Sequence, residues 1–366
     1  MRAYGRIREA GWITGARERK GTIYGRGWSF PNNIRTVPHR GPTVTTIAAT
    51  RFGRPLPAGG TIGVMAPSGP YFNGSDIDRP LRWWQERGYR VKLTDSVWSQ
   101  DDYVAGPPEK RAEDLMSLFT DPEVDVIQVL WGGTGAIEIL PFLDYDAIAA
   151  NPKALMGFSD ITNLHIALRQ SAGLATFHGP GFGSMGIPER KPFTWDSAVA
   201  AFTNGGAGDV PRDPEDPYVR TIAGGRVTAP IVGGNLFTFV HLIGTPWDPV
   251  FDGAILMLEE VNEPPYVVEV HLHQLELAGK LKGVAGVVVG EMKDCDWRED
   301  RPEAPRTRSI EDVLERCLAP LGVPTIYKLP LGHGKHLASI PLGVQATLDA
   351  DAQTLTIDEP GVRPTA

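Results

Sequence analysis

A chain of 366 residues, 42% hydrophobic and 22% charged, is long enough for two domains with cores of their own and lacks the composition of a disordered, collagenous or disulfide-rich protein. Cys295 and Cys317 make neither a disulfide framework nor a Cys-x-x-Cys site, no apolar run reaches bilayer length, and the start lacks signal-peptide character, so the sequence predicts a cytoplasmic protein without membrane contact. The net charge of -8 joins a basic head to an acidic body: residues 1–54 hold eleven Arg or Lys against Glu9 and Glu18, leaving 25 basic and 42 acidic residues, a formal -17, which argues against nucleic acid as a partner.

The head, rich in Gly, Pro, Arg and Thr, carries little hydrophobic period and is expected to be an unfolded extension. Thr61-Ile-Gly-Val-Met-Ala66 then reads as a buried strand stopped by Pro67-Ser-Gly-Pro70. Leu81 and Trp84 fit an amphipathic helix ending near Gly88, before a second strand over Tyr89 to Leu93. Pro108 opens a helix with Ala112, Leu115, Met116 and Phe119 inward, and Val124 to Trp131 is apolar enough for a strand buried on both faces. Gly132-Gly-Thr-Gly135 leads into a helix carrying Ile137, Ile139 and Leu140. Strands and helices alternate at βαβ spacing, which predicts an α/β domain over 55–185 with a parallel sheet covered on both faces.

Within it, the apolar run Ala154 to Met156 stops at Gly157, and the period turns helical after Asp160, at Ile161, Leu164 and Leu168. Ser159 is therefore expected in a tight strand-to-helix turn, either as a helix cap or as a hydroxyl surrounded by free helix N–H groups. Gly132-Gly133 and Gly157-Phe158-Ser159 both follow strands and belong at the ligand-binding edge of such a sheet. Neither loop has Walker or Gly-x-Gly-x-x-Gly spacing, so no nucleotide cofactor is expected.

Residues 186–224 are dense in Pro, Gly and Asp and read as a connection between domains, periodic only over Trp195 to Phe202. The second domain, 225–366, holds strand-like runs at Ala254 to Leu258, Val284 to Val289, Thr325 to Leu329 and Gln345 to Ile357. It is expected to be smaller, β-rich and mixed or barrel-like. Glu259 and Glu260 leave the first of those strands, where a carboxylate is either solvated or placed to orient a histidine. His333, flanked by Gly332 and Gly334, is less shielded than His165 or His241 on apolar helical faces. His333 with His336, and His271 with His273, lack the spacing of a metal-binding helix, so no metal is expected.

Several stretches, in one order along the chain, carry a resemblance. They are Ala66-Pro-Ser68, Trp131-Gly-Gly-Thr-Gly135, Asn151-Pro-Lys153, Gly157-Phe-Ser-Asp-Ile-Thr162, Phe177-His-Gly-Pro180, Gly233-Gly-Asn-Leu236, Ile255-Leu-Met-Leu-Glu-Glu260, Gly332-His-Gly334 and Ile340-Pro-Leu-Gly343. Together they resemble the LD-carboxypeptidases of serine peptidase family S66, and among them the microcin C self-immunity branch. The resemblance implies a Rossmann-like N-terminal domain, a β-rich C-terminal domain and a homodimer. It further implies Ser159 as nucleophile, His333 as base, Glu259 as triad acid, and the N–H groups of Gly133 and Asp160 as oxyanion hole. The implied substrate is a small peptide, with release of terminal D-Ala from a muropeptide tetrapeptide, or alternatively a peptidyl- or aminoacyl-nucleotide antibiotic. A non-catalytic ligand-binding module is the alternative of another class.

Overall fold

The computed structural model describes residues 49–186, 192–296 and 308–364. The extension expected over 1–54 thus lies outside the described residues as far as residue 48. Its last residues are part of the folded body: Arg51 N–H donates to Gly173 O at 2.7 Å, Ala175 N–H to Arg51 O at 2.9 Å, and Gly53 is bridged to Val362.

Five parallel strands, β1 (Thr61–Met65), β2 (Arg90–Leu93), β3 (Val126–Val129), β4 (Ala154–Gly157) and β5 (Thr176–His178), stand in the spatial order 2-1-3-4-5. β3 and β4 are wholly buried, as a parallel sheet covered on both sides requires, whereas the edge strand β2 exposes alternate residues. The covering helices are α1 (Ser75–Glu86), α2 (Pro108–Thr120), α3 (Ala136–Ile139), α4 (Tyr145–Ala150) and α5 (Thr162–Ala172). Pro108 suits the first turn of α2 because its missing N–H would have no partner there.

The stretch 186–224 is more than a connection. It supplies α6 (Pro192–Asn204), whose Trp195 meets Trp83 of α1 edge-on at 5.3 Å, and the short strands β6 (Gly208–Asp209) and β7 (Arg220–Ala223). These two close the ends of an eight-stranded mixed sheet. At its centre β8 (Arg226–Asn235), β9 (Ile255–Val261), β10 (Gly286–Lys293) and β11 (Thr325–Tyr327) run parallel. α7 (Leu236–Val240), α8 (Pro265–Leu277) and α9 (Ile310–Leu318) are the helices of this half, α9 opening on a Ser309–Asp312 capping box.

Strand β12 (Ile340–Leu342) crosses back to pair antiparallel with β5, so the first sheet has one antiparallel edge strand that the expectation of a parallel sheet omits. Pro341 is tolerated there because the strand has a neighbour on only one side. β13 (Gln345–Asp349) and β14 (Thr354–Ile357) complete the second sheet. One apolar cluster runs from Leu164 and Leu168 of α5 through Leu236 and Phe239 of α7 to Val268 and Leu272 of α8, and it binds the two halves together. Each such side chain contributes about 1.5–3 kcal/mol by leaving water. Among the described residues no helix is long and apolar enough to cross a membrane.

Candidate active site

Ser159 sits where β4 ends. Gly157 has no room for a side chain: a Cβ there would lie 2.5 Å from Val129 Cγ2 and 2.9 Å from Ile161 Cγ2. Phe158 is extended, and Ser159 has φ +63°, a left-handed conformation costing about 1–2 kcal/mol for a non-glycine residue. A single 3₁₀ turn, Ser159–Ile161, then leads into α5. Neither the turn nor α5 has a side-chain cap at its start, so the capping alternative for Ser159 is not the one realised. A strained serine on a strand-to-helix turn is the geometry of a nucleophile elbow, although the sequence is not Gly-x-Ser-x-Gly.

Two glycine loops close around it. Gly69 N–H donates to Gly132 O at 2.9 Å, and a Cβ on Gly132 would stand 2.8 Å from Ser159 Cβ and 3.1 Å from its Oγ. Gly133 adopts φ +100°, which glycine reaches without the Cβ penalty. The side chain of Asp160, expected only as a main-chain donor, holds this assembly together. Its Oδ2 accepts from Ser68 Oγ at 2.7 Å and from Ala136 N–H at 2.8 Å, while Oδ1 accepts from Asn163 Nδ2 at 2.9 Å. Burial pushes this carboxyl up, and the Ala136, Ser68 and Asn163 donors oppose the shift. Behind the loops the buried Arg111 donates to Pro67 O, Gly106 O and Gly135 O and pairs with Glu138. With its guanidinium so engaged, Arg111 is a brace for the loops rather than a group for a substrate carboxylate.

The other two candidates meet from the second half of the chain. Glu259, fully buried near the end of β9, accepts from His333 at Oε2, 2.7 Å from Nδ1. Burial would raise the Glu259 carboxyl, but the neighbouring His333 and His178 imidazoles outweigh it and hold the acid at about 2. Gly332, at φ +102°, has Glu259 where a Cβ would otherwise stand, which lets His333 approach so closely. The His333 ring, 17% exposed, lies against Phe158 with centroids 4.8 Å apart, next to Ser159 in the chain. Alternation along β9 sends Glu260 the other way. It accepts from Asn235 Nδ2, Phe237 N–H and Val261 N–H, and burial with the adjacent Glu259 charge pushes it up to about 7. The two adjacent acids are thus separated: one faces histidine, the other ties β9 to the start of α7.

The remaining histidines divide similarly. His336 is buried and bonded to Asp213 at 2.9 Å, so it does not converge with His333. His273 comes together with Glu269 and Cys317, their ligand-type atoms within 4.8 Å, but Glu269 is paired with Arg308 at 3.0 Å and Arg316 at 3.3 Å. His178, which ends β5, lies behind Glu259. Its signals in the sequence are its place at the end of a buried run before Gly179-Pro180 and within one of the stretches that carry the family resemblance, neither of which assigns it a role.

The chain also matches known proteins. Residues 62–179 match the LD-carboxypeptidase N-terminal domain and residues 228–348 the LD-carboxypeptidase C-terminal domain. A Bacillus subtilis protein described as a probable murein peptide carboxypeptidase is 32% identical over 311 residues, covering 83% of this chain and 93% of that protein. The microcin C7 self-immunity protein MccF of Escherichia coli is 28% identical over 336 residues, covering 83% and 95%. The structure of MccF in complex with glutamyl sulfamoyl guanosine superposes with a TM-score of 0.78 at 26% identity, covering 85% of this chain and 99% of that one.

Proposed function

The chain belongs to the LD-carboxypeptidase family, a family of serine peptidases, and from that premise we propose that it hydrolyses an amide bond near a free carboxylate through Ser159, His333 and Glu259. The observation that carries the proposal is the His333 Nδ1–Glu259 Oε2 bond of 2.7 Å, made by an imidazole that lies against Phe158, beside the strained Ser159. A carboxylate at Nδ1 fixes the proton there and leaves the Nε2 lone pair free to act as base.

Ser159 Oγ attacks the carbonyl carbon while its proton passes to His333 Nε2, and Glu259 stabilises the imidazolium. The carbonyl π electrons move to oxygen, which is received by the N–H groups of Gly133 and Asp160, each such donor typically worth about 3 kcal/mol. Collapse breaks the C–N bond, and the amine leaves with the proton from Nε2. Water, deprotonated by His333, then cleaves the acyl ester and restores Ser159.

For the substrate we favour an L,D-linked muropeptide tetrapeptide losing terminal D-Ala, in line with the murein peptide relative. A second reading is cleavage of an acylated sulfamoyl or phosphoramidate nucleotide. It draws on the likeness to MccF and on Phe72, which is 78% exposed and packs at 5.8 Å on Trp131, the residue before Gly132, leaving aromatic surface open to a ligand. The test is release of the C-terminal residue from the tetrapeptide and of the acyl group from an acyl-sulfamoyl adenosine. Ser159→Ala is expected to abolish both with the melting temperature unchanged; full activity in that variant sinks the serine mechanism. The family resemblance also leads us to a cytoplasmic homodimer, which light scattering and fractionation would check.

A further inference from the structure

Glu259 lies between two imidazoles, and the mechanism above uses one. Its Oε2 is taken by His333, whereas Oε1 has no hydrogen-bond partner among the described residues. Facing Oε1 is His178 Nε2 at 3.8 Å. Both side chains are fully buried, and neither ring nitrogen of His178 has a partner among the described residues. Two unsatisfied polar groups facing each other in a buried site are costly apart, and a closing movement of under about 1 Å would pair them.

The surroundings restrict what else His178 could serve. Phe158 is edge-on to it at 6.1 Å between centroids, the same ring that supports His333 on its other contact. His165 of α5, 6.5 Å away, is committed through Nε2 to Gly157 O. The other titratable groups near the pair are Glu260, which faces its own three donors, and Cys295 beyond β10, whose thiol burial pushes up. The charges and donors acting most on the Glu259 carboxyl are the His333 and His178 imidazoles.

We infer that His178 is a positioning residue of the catalytic dyad: its Nε2–H donates to Glu259 Oε1, so that the carboxylate is held from both sides and aims its second oxygen at His333. The inference rests on the assignment of Glu259 and His333 to the reaction. Its chemistry is specific. Without the second donor the Glu259 charge concentrates on the oxygen facing His333, and the dyad holds its proton more tightly. The acidic limb of the rate profile, which reports the pair as a unit, then moves to higher pH.

The experiment is the pH profile of kcat/KM for the wild type, His178→Phe and His178→Gln on the cleaved substrate. His178→Phe keeps a planar ring, somewhat larger than imidazole, and loses the donor; its rate is expected to fall about ten- to a hundredfold and its acidic limb to move up by about one pH unit. His178→Gln places an amide N–H near the lost Nε2 and should recover most of both. A merely structural histidine would give the same deficit in both variants with an unmoved limb, and that result overturns the inference. Should His178→Phe fail to fold, ¹⁵N-histidine NMR of the wild type decides: the Nε2–H tautomer at His178 agrees, and the Nδ1–H tautomer contradicts. An unshifted profile in His178→Phe while Ser159→Ala and His333→Ala are inactive removes this role alone, whereas activity in those two variants removes the triad with it.

Discussion

Asp160→Ala separates the scaffold of the site from its reacting groups. The substitution leaves Ser68 Oγ and Ala136 N–H, both buried, without their acceptor, while Asn163 Nδ2 keeps a bond to Asp160 O at 3.0 Å. Two buried donors stranded at about 1–3 kcal/mol each give about 2–6 kcal/mol, and losing a charge that burial already disfavours returns part of that, so the net loss is about 2–4 kcal/mol. Because Ala136 follows Gly133-Thr134-Gly135, freeing its N–H also loosens the Gly133 donor, and losing one oxyanion donor costs about 10²-fold in kcat. Asp160→Asn is the control. It keeps an oxygen toward Ser68 and Ala136 and gives up only the bond from Asn163 Nδ2 to the second side-chain oxygen, while the Nδ2 bond to the main-chain oxygen of residue 160 is kept. That variant should lose about 1 kcal/mol and less than about tenfold in rate. Urea unfolding and tetrapeptide turnover at pH 7 measure both quantities. Equal behaviour of the two variants in stability and rate would refute the clamp.

Gly132→Ala should lower kcat more than it raises KM, because the new Cβ lands 2.8 Å from Ser159 Cβ; steady-state kinetics with an unchanged kcat would contradict that contact. Glu259→Gln should reduce kcat by about 10³–10⁴-fold, since an amide cannot stabilise the imidazolium and favours the wrong tautomer. In the same variant an acid-dependent contribution to stability disappears. The folded-state pKa of Glu259 is depressed to about 2 from 4.5, so the wild type holds this stability above pH 4.5 and loses it as pH falls toward 2, a loss that parallel urea titrations should not find in the variant. His165 acts in a neighbouring window. Burial holds its imidazole at about 3, so below pH 6.5 the unfolded chain takes up a proton that the folded one refuses. Stability should fall by up to about 1.4 kcal/mol per pH unit from this group alone, and His165→Gln should flatten that slope.

What the sequence discloses follows the range of the forces involved. The continuous apolar runs at Val126–Val129 and Ala154–Gly157 announce a sheet buried on both faces, and the change of period after Gly157 marks the turn at Ser159, because both signals are local. The pairing of Ile340–Leu342 with Thr176–His178 has no local signal: the segments are far apart in the chain, and Pro341 argues against an interior strand. Gly208–Asp209 and Arg220–Ala223 are too short to show alternation, which is why residues 186–224 read as a connection. At the site, local pattern offered a serine, an acid and a glycine-flanked histidine among many such residues, and family resemblance grouped them. The carboxylate of Asp160 and the imidazole of His178 were missed because their roles are set by partners such as Ser68 and Glu259, distant in sequence and brought close only by the fold.

The measurement that tests the central claim most directly is mass-spectrometric mapping of the covalent adduct after quenching the enzyme during turnover, with a fluorophosphonate probe in parallel. Both the acyl group and the probe are expected on the peptide containing Ser159, and both should be lost in Ser159→Ala and greatly slowed in His333→Ala. Turnover that persists with no adduct on Ser159, or with the adduct on another side chain, would contradict the account.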